Sequence, residues 1–181
     1  MEADWEFEVG GEAPVIEAQW PGFLDLREDP RRAGELAEAW QLPGLADALE
    51  RLNAANSPMW TSKTDVFNPD SPDADELDAT DEEAKHAMAC YVDLFMRSES
   101  RWGSPLQAER SCRALCDRLR TIPLRCCRID LVIRRAHIHP DRNDLAATAY
   151  FTACGRSEGN ARARLAECLA AFAAAIVTAP K

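Results

Sequence analysis

Along "RCCRIDLVIRRAHI", Cys127, Ile129, Leu131 and Ile133 alternate with Arg128, Asp130, Val132 and Arg134, the period-two pattern of a strand with one buried face. "AMACYVDLFMR" repeats it, with Met88, Cys90, Val92, Leu94 and Met96 on one side and Tyr91, Asp93 and Phe95 on the other. "MWTSKTDVF" reads as a further strand, and "LAATAYFTAC", after the turn "HPDRND", as an antiparallel partner of the 125–138 strand. "APVIEAQWPGFLDL" is extended and interrupted at Pro21-Gly22, and the helical sequence that follows breaks near Pro43-Gly44. Ser104, Pro105 and Gln107 cap a helix that runs to about Arg120, and a last helix begins near Ser157 and is apolar on all sides through "CLAAFAAAIVTA". "TDEE" at Thr80–Glu83 is a capping box that competes for the start of the third strand; a short helical turn followed by strand is the preferred reading.

In order, these elements are strand, helix, strand, strand, helix, strand, then an added strand and helix. The expected fold is α+β: a ferredoxin-like split β-α-β antiparallel sheet with helices on one face, extended by a C-terminal strand and helix. Residues 1–181 are expected to form one domain, with an acidic loop at about 68–85. The spatial strand order would be fourth, first, third, second.

Four strand-like segments carry an aspartate, a residue strands disfavour. These are Asp25, Asp65, Asp93 and Asp130, each flanked by residues suited to a helix-covered face. Alternation therefore sends all four to the opposite face, on neighbouring strands in the expected order. Phe23, Arg27, Lys63, Phe67, Tyr91, Phe95, Arg128, Arg134, Thr148, Tyr150 and Thr152 would join them. A mixed aromatic and charged face suits a binding or self-assembly module, and Asp25, Lys63, Asp65, Tyr91, Asp93, Phe95, Arg128, Asp130, Arg134 and Tyr150 are its candidate residues. The alternative is a small-molecule enzyme whose clustered carboxylates share a proton or hold magnesium or manganese. The blander reading is a wet face whose charges pair across strands.

Charge sharpens the picture. Of the formal net charge of -10, residues 1–67 carry -9, residues 68–83 carry -8 and residues 84–181 carry +7. An acidic first half and an arginine-rich second half are expected to attract one another within the fold. A row of aspartates repels phosphate, so nucleic acid is not an expected partner. Asp73 and Asp75 open an Asp-x-Asp pattern, but Leu77 takes the next ligand position and no glycine follows, so this is no EF-hand loop.

Seven cysteines without a Cys-x-x-Cys pair suggest free thiols rather than zinc ligands or disulfides. Cys126 and Cys127, adjacent in a strand, point to opposite faces. His137 and His139 share a face near a turn, with Asp141 after them, but no third ligand is specified. The acidic, unpatterned start resembles no targeting signal and no segment reads as a membrane span, so a cytoplasmic protein is expected, with no membrane partner and no cofactor. The apolar last helix and the sheet aromatics predict a homodimer, formed through either surface.

Overall fold

The computed structural model describes residues 1–8, 10, 15–16, 22–69, 72–97, 100–139 and 142–177, without the side chains of 15–16, 138–139 and 142–143. Its strands are β1 (Glu2–Phe7), β2 (Val15–Ile16), β3 (Met59–Phe67), β4 (His86–Met96), β5 (Cys127–His139) and β6 (Arg142–Gly155). Its helices are α1 (Ala37–Gln41), α2 (Leu45–Asn53), α3 (Pro105–Arg120) and α4 (Glu158–Val177), with a 3-10 turn at Pro30–Glu35. The sheet runs β1-β5-β6-β4-β3, with the two-residue β2 also pairing β5. β1 and β2 lie parallel to β5 and the other pairings are antiparallel, so the molecule is a mixed α+β protein with an open sheet.

The sheet follows from alternation and from one exception to it. Ala3, Trp5 and Phe7 on β1 stand beside Ile129, Leu131 and Ile133 on β5. That row continues through Phe151, Ala149 and Ala147 on β6 to Cys90, Val92 and Leu94 on β4. All of these belong to the main core under the helices except Trp5 and Phe7, which are partly buried and pack against it. The β6 members are mostly alanine, and this lets α4 lie close over the sheet centre, where Phe172 meets Phe151 edge to face with ring centroids 5.0 Å apart. The exception is a bulge in β3 between Thr61 and Thr64. One extra residue there turns Thr61 toward the helices and Trp60 away from them, whereas unbroken alternation would do the reverse.

Helix ends are closed by side chains. Ser104 Oγ accepts from Gln107 N–H at 3.3 Å, and Gln107 Oε1 accepts from Gly103 N–H at 2.9 Å. At the end of α2, buried Asn53 donates to Thr61 Oγ1 at 2.7 Å and accepts from Thr61 N–H at 3.0 Å, tying helix to edge strand. Gly44 starts α2 at φ 86° against Ala166 of α4, where an added Cβ would stand 3.2 Å from the Ala166 Cβ.

Three expectations are corrected. The ferredoxin-like order is not the order observed: β6 lies in the middle of the sheet, between β5 and β4, rather than at its end. It follows β5 after two residues and pairs with it along nearly its whole length, and the last helix then covers it. The segment expected as the first strand supplies only β2 among its described residues, and Asp25 lies outside any strand. The true first strand is "EADWEF" at residues 2–7. The apolar last helix is no spare surface either: Leu165, Cys168, Leu169, Phe172, Ala173 and Ile176 are buried within their own chain, which removes α4 as the expected dimer interface.

The acidic stretch is pinned rather than a free connector. Leu77, only 2% exposed, packs with Cys126 and Cys154, and Arg125 holds Asp78 at 3.1 Å. Asp73 Oδ1 accepts from the N–H groups of Asp75 and Glu76, so that carboxylate shapes the loop itself. Acidic and basic halves interlock through Arg120–Asp4, Arg134–Glu8, Arg156–Glu82 and Arg164–Glu83. No helix among the described residues is long and apolar enough to cross a membrane.

Candidate functional site

With α2, α3 and α4 on one side, the outward rows of the sheet carry the polar and aromatic side chains. One row reads Asp4, Asp130, Tyr150, Tyr91, Asp65 across β1, β5, β6, β4 and β3. Beside it run Glu6, Val132, Thr148 and Asp93, with Lys63 from the bulge, and on the other side Glu2, Arg128, Thr152, Ala89 and Phe67.

Both ends of this face are closed. At one end the acidic loop sits on Cys126, Cys154 and Ala87 through Leu77, Ala79 and Ala84. At the other, Trp60 stacks on Phe95 with centroids 4.6 Å apart and planes 18° apart, and the Arg27 guanidinium caps the Trp60 ring at 4.1 Å. Between them lies a band in which Tyr91 and Tyr150 are half-buried, with ring centroids 6.0 Å apart.

The candidate residues divide accordingly. Lys63, Asp65, Tyr91, Asp93, Arg128, Asp130, Arg134 and Tyr150 share the band or its margins. Phe95 shares the face but is fully buried beneath Trp60, so it forms floor rather than contact surface. Asp25 is not on the sheet; Arg27 Nε and Nη2 grip its two carboxylate oxygens at 2.9 and 2.7 Å, and that hydrogen bonding holds its pKa below the usual value. Of the four aspartates expected on neighbouring strands, Asp65 and Asp93 do lie on the paired strands β3 and β4, whereas Asp25 is off the sheet and β6 takes the place between Asp130 and Asp93. Arg128 engages both oxygens of Asp130 at 2.8 and 2.9 Å. Trp60 is the site residue that alternation hides, since only the bulge brings it to this face.

Asp93 is the unusual member. It is 5% exposed, and the Thr148 hydroxyl donates to its Oδ1 at 2.7 Å. Burial raises its pKa, against the opposing pull of Thr148, Lys63 and Arg134. Tyr91 is raised as well, first by burial and then by the nearby charges of Asp93, Asp65 and Glu38. Carboxylates and the Lys63 ammonium together surround Tyr91. Beside it opens a groove of about 580 Å3, walled by Phe23, Leu24 and Leu26 from the loop, Glu38 from α1, and Lys63 and Tyr91 from the sheet.

Among the described residues no three His, Cys, Asp or Glu side chains converge closely enough to hold a metal ion. His137 is exposed near the end of β5, whereas the His139 side chain and Asp141 lie outside the described residues, so the histidine pair is not placed as a unit. Comparison with known protein families, with curated proteins and with solved structures finds no match for this chain.

Proposed function

We propose that the protein is a binding module that takes a small polar ligand, preferentially a cationic one, in the groove beside Tyr91 and on the open band of the sheet. The observation that carries this reading is the half-buried Tyr91, which lines a groove of about 580 Å3 together with Glu35, Glu38, Asp65 and Lys63. Metabolite-sized ligands occupy clefts of roughly 300–1,000 Å3 with an aromatic wall and a few convergent polar groups. An organic ammonium group gains both from the carboxylates and from the ring face. Catalysis by paired carboxylates has less support, since Arg128 engages both oxygens of Asp130 and Asp93 is buried against the Thr148 hydroxyl. Self-association through the same band, as a homodimer, is the competing use of the surface. The band supports it less well, because Phe95 is sunk in the floor and Phe67 is the main exposed apolar side chain there.

The test is amide NMR with ethanolamine, putrescine and arginine as cationic probes and acetate, succinate and phosphate as anionic ones. The cations are expected to shift Lys63, Asp65, Tyr91, Asp93 and Tyr150 with millimolar affinity or better, and Asp65→Asn is expected to weaken them about tenfold, or 1.4 kcal/mol. Shifts with anions only, or at residues elsewhere, would overturn the reading. Perturbation of the same residues by protein concentration alone would assign the band to self-association.

A further inference from the structure

The loop of residues 22–28 is held from both faces of the sheet. Leu26, 4% exposed, belongs to the main core on the helix side, with Leu24 packed against it. Arg27, the next residue, reaches the opposite face and places its guanidinium over the Trp60 ring, 4.1 Å from the centroid. Trp60 stands there because the β3 bulge turns it outward, and it rests in turn on the buried Phe95 of β4. Loop, edge strand and second strand are thus tied by one stack of three side chains.

Arg27 is also fixed along its own loop. Its backbone N–H and its Nε both donate to Asp25 Oδ1 at 2.9 Å, and Nη2 donates to Oδ2 at 2.7 Å. The Glu28 N–H donates to the Asp25 carbonyl at 3.3 Å and closes the turn. A guanidinium does both things at once, since its in-plane N–H groups fork the carboxylate while its charge sits over the indole. An ammonium, being a point charge, supplies the second without the first.

The same loop forms one wall of the groove beside Tyr91. Phe23, Leu24 and Leu26 line that wall and Thr61 to Asp65 of β3 line another, whereas Arg27 does not touch the groove. Leu26 and Thr61 are the immediate chain neighbours of Arg27 and Trp60. A contact one residue away on each wall therefore sets how far apart the two walls stand.

We infer that Arg27 is a positioning residue for this groove: by bridging Asp25 and Trp60 it fixes the loop wall against β3, and so sets the affinity for the cationic ligand without touching it. Its effect on affinity rests on the function proposed above, whereas its hold on the wall rests on packing alone. The sign of the effect separates this role from a simple charge effect. Arg27 is a cation beside a site for cations, so on charge alone its removal would tighten binding. Loss of a fixed wall weakens it.

The experiment follows putrescine binding and amide hydrogen exchange by NMR in the full chain, for the wild type, Arg27→Ala, Arg27→Lys and Trp60→Leu. Arg27→Ala is expected to weaken putrescine about tenfold. Arg27→Lys is expected to weaken it nearly as much although the charge is kept. Arg27→Ala made in the Trp60→Leu protein should cost no further affinity, because both act through one contact. Without ligand, the Arg27 and Glu28 amides, whose acceptors belong to Asp25, should exchange more than about tenfold faster in Arg27→Ala, with β5 and β6 amides as slow as in the wild type. Unchanged or tighter putrescine binding by Arg27→Ala, wild-type affinity in Arg27→Lys, additive losses for Arg27 and Trp60, or exchange that speeds equally in β5 would each overturn the proposal. A wild-type protein that binds no putrescine would overturn the proposed function and with it the part of Arg27 in affinity; exchange then decides the wall by itself, and slow Arg27-loop amides in Arg27→Ala would refute that too.

Discussion

Phe172 tests the placement on which the open sheet face depends. If α4 packs against its own sheet, truncating Phe172 to alanine empties a fully buried ring site whose partner is Phe151, 5.0 Å away at an interplanar angle of 84°. Phe→Ala at such a site costs about 3–5 kcal/mol, since the lost transfer energy is joined by the cost of the cavity. The edge-to-face contact itself contributes about 0.5–1.5 kcal/mol of that, and a double-mutant cycle with Phe151→Ala isolates it. Against a total stability of about 5–15 kcal/mol the loss is large. At about 2–4 °C per kcal/mol for a chain of this size, the melting temperature should fall by about 6–20 °C. The assay is urea denaturation followed by circular dichroism at two protein concentrations tenfold apart. Midpoints independent of concentration and a positive coupling energy are expected. A loss below about 1 kcal/mol, together with a wild-type midpoint that rises with concentration, would place Phe172 in an interface between chains and refute the reasoning.

Asp93→Asn should raise stability at neutral pH: because burial lifts the native pKa above the unfolded value near 3.8, the native state holds the extra proton between the two values. Wild-type stability therefore falls as pH rises through that window and stays lowered above it, and the variant should flatten this fall; an unchanged pH profile of denaturation would contradict it. Leu77→Ala should release the acidic loop by removing about 2 kcal/mol of anchoring, speeding tryptic cleavage at the exposed Lys85 more than tenfold while β4 stays folded; equal cleavage rates would show that the loop is held elsewhere. Gly155→Ala should cost about 1–3 kcal/mol, because its Cβ would stand 2.6 Å from the Asn160 Cβ and the Ala161 nitrogen; Gly34→Ala, with nothing within 4 Å, should cost under about 0.5 kcal/mol, and similar melting for the two would refute the β6–α4 turn geometry.

What the sequence determined by itself is what depends on neighbours along the chain. Alternation in β4 and β5 assigns Tyr91, Asp93, Arg128, Asp130 and Arg134 to one face, and the structure has them there. The α3 cap is local too, since Ser104, Pro105 and Gln107 carry it within four residues. β1 has the same alternation, Ala3, Trp5 and Phe7 against Glu2, Asp4 and Glu6, but its density of acidic residues made it read as unpatterned, and its parallel pairing with β5 is what shows it as a strand. Lateral order was not legible, because strand periodicity says which face a residue takes and nothing about which strand lies beside it. β6 could have been recognised as central from its runs buried on both faces, Ala146–Ala149 and Ala153–Gly155, but burial on both faces becomes visible only once α4 and the neighbouring strands are in place. Tertiary structure alone decided that Asp25 leaves the sheet, that a bulge delivers Trp60 to Arg27, and that Leu77 of the acidic loop packs on Cys126 and Cys154. Each of these is decided across the chain, by the free energy of packing whole layers together, and no local pattern of residues encodes it.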